Sequence, residues 1–134
     1  MPLNADNYGH FTRTTLAFGD AVRRVKAELA NRGFGVLCEI DVAKTLKEKL
    51  GVEQPPTLIL GACNPEFAHR ALSAEPGIAL LLPCNVVVRQ LDSGVEISAI
   101  DARAMTRFTG NSQLEELAGE VDAQLTAVVA AVPR

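Results

Sequence analysis

The sequence predicts an α+β fold: a mostly antiparallel sheet of about five strands with helices packed on one face and a long C-terminal helix. Three observations lead there. Apolar runs such as Thr57-Leu58-Ile59-Leu60 and Val86-Val87-Val88 are separated by segments with helical periodicity. Asp92-Ser93-Gly94 reads as a tight hairpin turn between Val86-Val87-Val88 and Val95-Glu96-Ile97-Ser98-Ala99-Ile100, and such a turn joins antiparallel neighbours at low loop entropy. From about Gln113 an apolar stripe through Leu114, Leu117, Ala118, Val121, Leu125, Val128, Val129 and Val132 needs a sizeable partner surface, most simply the sheet and otherwise a second subunit.

Taken in order, the first strand is expected from about His10 to Phe18, where Phe11, Leu16 and Phe18 mix with threonines. Asp20 precedes a helical stripe of Ala21, Val22, Val25 and Leu29, which ends near Asn31-Arg32-Gly33 with the glycine free to turn left-handed. A second strand spans Phe34 to Ile40. Asp41 then caps a short helix carrying Ala43, Leu46 and Leu50, which Gly51 stops. Lys44, Lys47 and Glu48 on that helix read as a solvated face. After Gln54-Pro55-Pro56 comes a buried strand at Thr57–Leu60. Asn64 before Pro65 pairs a cap residue with a proline suited to the first helical position, so a helix runs through Ala68, Ala71 and Leu72 and stops before Pro76-Gly77. Ile78-Ala79-Leu80-Leu81-Leu82 is either a strand or a buried turn of helix, because periodicity does not separate the two. Ser112 with Glu115 predicts a capping box at the start of the terminal helix. The count is five strands and four helices.

With 134 residues, 48% apolar and 22% charged, the chain is long enough for a single domain with its own core, residues 1–134. Its formal charge of −3 supplies no basic field for phosphate backbones, so no nucleic-acid partner is expected. Met1-Pro2-Leu3-Asn4 shows no basic region followed by an apolar stretch, and the longest apolar run, Gly77 to Pro83, is far short of the roughly 20 residues that span a bilayer. The expectation is a cytoplasmic protein that is not membrane-bound. No G-x-G-x-x-G, G-x-x-x-x-G-K-[ST] or H-E-x-x-H motif names a cofactor, which stays unknown.

Three cysteines, Cys38, Cys63 and Cys84, match neither a C-x-x-C redox motif nor a zinc knuckle, and their count fits a reducing compartment. Cys63 stands just ahead of the helix start at Asn64-Pro65, where backbone N–H groups favour a thiolate. The competing reading is a buried packing thiol. Cys84 begins the next strand, and a sheet is able to bring it beside Cys63 for a reversible disulfide or a soft-metal pair. His69, one or two turns into the same helix, would then act as proton acceptor or third ligand, or hold a plain surface role. No metal is expected, and Cys63, Cys84 and His69 are the set if one binds. Cys38, inside a strand, reads as packing. His10 carries no marked role.

Gly33-Phe34-Gly35-Val36-Leu37 with Glu39-Ile40-Asp41-Val42, then Ile59-Leu60-Gly61-Ala62-Cys63-Asn64-Pro65, Ala68-His69-Arg70-Ala71-Leu72 and Leu80-Leu81-Leu82-Pro83-Cys84-Asn85-Val86-Val87-Val88, resemble the DUF302 family of small bacterial and archaeal proteins. The resemblance runs from about Tyr8 to Thr109. It implies a TATA-binding-protein-like architecture in single copy, assembled as a homodimer, without implying DNA binding. The family has no established activity to carry over. Its recurrent motifs match at Cys63, Asn64, Pro65, His69, Pro83, Cys84 and Asn85, whereas Cys38 stands where threonine is more usual.

Two functions follow as expectations. The first is a non-enzymatic small-ligand or interaction module, with Cys63, Asn64, His69, Cys84 and Asn85 as ligand-binding residues. The second is thiol redox or soft-metal chemistry, with Cys63, His69 and Cys84 as catalytic candidates.

Overall fold

The computed structural model describes residues 8–134. It is the predicted α+β fold: β1 (Gly9–Thr14), β2 (Gly35–Asp41), β3 (Thr57–Cys63), β4 (Cys84–Leu91) and β5 (Gly94–Ile100) form one fully antiparallel sheet in the order β1-β5-β4-β3-β2. The helices are α1 (Phe18–Asn31), α2 (Val42–Leu50), α3 (Pro65–Ala74), α4 (Ala104–Thr109) and α5 (Glu115–Ala131).

Strand alternation decides which face is covered. Leu60 and Ala62, Cys84, Val86 and Val88, and Val95, Ile97 and Ala99 all point to one face and are buried. Against them pack Ala21, Val25 and Leu29 of α1, spaced four residues apart, and the Leu117, Val121, Leu125 and Val128 stripe of α5. The opposite face carries Phe11 and Arg13, Glu96 and Ser98, Asn85, Val87 and Arg89, and Ile59. None of these is buried. β2 sits at the sheet edge and, like α2, holds no buried side chain.

The structure departs from the sequence reading in three places and decides a fourth that periodicity left open. β1 ends at Thr14 rather than Phe18, because the Thr14 hydroxyl accepts from the Leu16 amide (3.1 Å) and turns the chain into α1. The segment left open between strand and helical turn takes the helical alternative, as Ile78–Leu81 lies in a 3-10 turn at Pro76–Leu81 with Ile78 buried and Leu82 extended beyond it. α4 went unpredicted. The Ser112–Glu115 capping box does not form: the Asn111 side chain accepts from the Gln113 amide (2.9 Å) and starts a 3-10 turn at Ser112–Leu114 that leads into α5.

Gly94 (φ +133) is required where the hairpin returns, since a Cβ there would lie 2.9 Å from the Thr14 carbonyl oxygen.

Candidate functional site

Asn64 forms the cap that its place before Pro65 suggests: its side-chain oxygen accepts from the Glu66 (3.1 Å) and Phe67 (3.3 Å) amides. Its amide nitrogen donates to the Arg32 carbonyl (3.5 Å), tying the start of α3 to the end of α1.

Because Ala62 is the register partner of Cys84, Cys63 is one residue removed from it across the strand pair. Both cysteines line a cavity of about 20 Å³ between β3, α3 and α5, together with Phe34, Phe67 and Val121. That volume holds about one water molecule. Burial, reinforced by the neighbouring Cys63, pushes the Cys84 thiol up to about 11, so Cys84 is protonated at neutral pH. All three cysteines are free, and Cys38 is exposed rather than packed in the core. His69 is exposed on α3 and is not among the residues that line this cavity. The structure thus brings Cys63 and Cys84 together and leaves His69 apart.

Asn85 belongs to a larger space. A cleft of about 260 Å³ opens at one end of the sheet between the Pro76–Leu81 turn with the first residues of β4 and the segment from Ile100 through α4. Leu81, Leu82 and Met105 give it apolar walls, while Cys84, Asn85 and Asp101 bring polar atoms to it. Leu80 (91% exposed) and Phe108 (75% exposed) also line it and stand in solvent.

Asp101 anchors this end of the molecule. It is 1% exposed and gripped by Arg103, whose backbone amide (2.9 Å) and Nε (3.0 Å) donate to one carboxylate oxygen and Nη2 (2.8 Å) to the other. The Arg103 hydrogen bonds hold its carboxyl down at about 2 against the opposing effect of burial. Asp122 of α5 accepts from the Ala102 amide (3.1 Å) and pairs with His10 Nε2 (2.8 Å). His10, Asp101 and Asp122 each place one ligand atom within 4.8 Å of the others, a spacing able to hold a metal ion. The donors are already committed, however: Arg103 and Arg107 face Asp101, and Arg103 Nε also lies 3.6 Å from Asp122. This is a network of ion pairs and hydrogen bonds joining β1, α5 and the β5–α4 link.

Sequence reasoning missed this network. One signal was present, an aspartate at position 122 between the apolar Val121 and Leu125 of the terminal stripe. A charge on the buried face of a helix requires a partner.

An antiparallel sheet with its helices on one face and a cleft at one end is the architecture of a binding domain as much as of an enzyme. The chain belongs to the family described as Domain of unknown function DUF302, which matches residues 10–132. A solved relative is the uncharacterized conserved protein DUF302 from Bacillus stearothermophilus, 27% identical, with a TM-score of 0.85 over 91% of this chain and 95% of that one. No curated protein matches. Among the described residues no helix is long and apolar enough to cross a membrane.

Proposed function

We propose that this protein is a non-enzymatic binding module that works as a homodimer and takes a small, mostly apolar ligand in the cleft beside Asn85. The observation that carries this reading is the cleft itself: apolar walls, one unburied amide at Asn85, and a carboxylate at Asp101 already neutralised by arginine. Such a site orients a ligand by few polar contacts and binds it through apolar area. Its volume, about 260 Å³, suits a ligand smaller than a typical drug. Free thiols throughout support a place in the cytoplasm, and the charge of −3 speaks against a nucleic-acid partner.

The test is a nuclear magnetic resonance titration with small aromatic and branched aliphatic fragments. Shifts confined to Asn85, Ala102 and Met105, and weakened by Asn85→Ala, are expected. Fragments that bind elsewhere, or none that bind, overturn the cleft reading.

The thiol reading keeps one specific support, the shared cavity of Cys63 and Cys84. It requires Cys63 to be the reacting partner, since Cys84 holds its proton. Alkylation of native reduced protein against pH, with mass assignment of each site, tests it. A Cys63→Ser protein that keeps every redox and soft-metal property would remove this reading.

A further inference from the structure

We propose that a second copy of this chain docks on the strand face opposite the helices and thereby closes the mouth of the cleft. The proposal rests on the homodimer reading above and adds where the copies meet and what the contact does to the ligand site.

The register places Phe11, Ser98, Val87, Ile59 and Ile40 in one row that crosses all five strands. Four of these five side chains are apolar, whereas a strand face left to water alternates to polar residues. The neighbouring row, Arg13, Glu96 and Arg89, alternates in sign. In a two-fold contact the same patch meets itself, so it must be self-complementary; an apolar row beside a row of mixed charge meets that condition. A phosphate backbone would instead need a face of one sign.

The size also fits. Five strands about 4.8 Å apart, with six or more residues at about 3.4 Å each, make a face of about 500 Å². Two such faces cover about 1,000 Å², the threshold for a specific interface.

The link to the cleft comes from two shared residues. Asn85 and Ile100 line the cleft and also a hollow of about 200 Å³ on the strand face, walled by Tyr8, Phe11 and Val87. A copy seated over that hollow reaches the cleft mouth and covers Leu80 and Phe108, which otherwise stand in water.

Sedimentation velocity of the full chain over a wide concentration range is the test, combined with hydrogen exchange of the Ile100–Phe108 backbone. The wild type is expected at twice the 14.3 kDa chain mass. Val87→Asp and Ser98→Arg are expected at the single-chain mass with unchanged circular dichroism, and Leu72→Asp on α3 remains dimeric. The monomeric variants lose protection across Ile100–Phe108 by about tenfold or more. A dimer that survives both face variants overturns this proposal and leaves the homodimer reading standing. A monomeric wild type overturns both, and one that instead retards duplex DNA assigns the face to nucleic acid. The fragment titration judges the cleft in every case. Exchange that stays the same on dissociation overturns the closure of the cleft.

Discussion

At Asn64 one amide side chain caps α3 and reaches the Arg32 carbonyl, so Asn64→Ala removes a cap and a tie at once. The expected loss is about 1–2 kcal/mol in urea unfolding, with the helical signal otherwise kept. That role was legible in the sequence because a cap acts on amides two and three residues away. Gly61 was not legible in the same way. A Cβ there would lie 2.6 Å from the Cys38 sulfur on β2 and 2.9 Å from Cγ of Pro83, the residue just before β4. The sulfur is able to swing aside, but the proline ring is held by the chain, so Gly61→Ala is expected to cost about 1–3 kcal/mol. Adding Cys38→Ala should restore only part of it. Cys84 makes a pH prediction. Its folded-state pKa is raised, so the stabilisation from its protonated thiol is complete below about 9 and is lost as pH rises towards about 11. Thermal melts should show a falling midpoint over that window, absent in Cys84→Ala.

Among the elements, α5 shows how a polar residue earns a place in an apolar stripe. Asp122 is buried because the Ala102 amide and His10 complete its hydrogen bonds, and through it α5 holds both β1 and the exit from β5. Asp122→Ala leaves the Ala102 amide without its partner and is expected to destabilise by about 1–3 kcal/mol in chemical denaturation. Asp101, with its carboxyl held low, contributes in the opposite pH direction to Cys84. Its share of stability is complete above about 4 and disappears as pH falls towards about 2. An acid-unfolding curve for Asp101→Asn should therefore be flatter between those values than that of the wild type. The helices with strong local signals, α1, α2 and α3, were readable from their apolar spacing and flanking Asp41, Asn64 and Gly51. α4 was not, since six residues with no side-chain cap leave little trace in sequence. The true entry to α5 was missed because Asn111, one position before Ser112, takes the capping role.

For the whole molecule, the fold class was readable because the elements that build the core, β4, β5, α1 and α5 among them, separate wet from dry residues at their own period. The cleft was not, since its walls come from two segments, Leu80–Asn85 and Ile100–Phe108, that meet only once the sheet has formed. The same holds for Cys63 and Cys84. Their nearness depends on the β3–β4 register, and the fate of the Cys84 proton depends on burial that no spacing rule reports. His69 illustrates the converse, as proximity in sequence to Cys63 placed it on the exposed side of α3.

β2 pairs with β3 on one side only, and its register jumps between Val36 and Cys38, leaving Leu37 as an extra residue without a partner. An edge strand that offers Leu37 and Ile40 to solvent is a template for another strand, and a bulge bends such an edge so that a straight newcomer fails to match it. Deleting Leu37 would make the pairing continuous from Gly35 to Asp41. The consequence is a chain that grows end to end into fibres, visible as light scattering that rises with time while the intact protein stays clear.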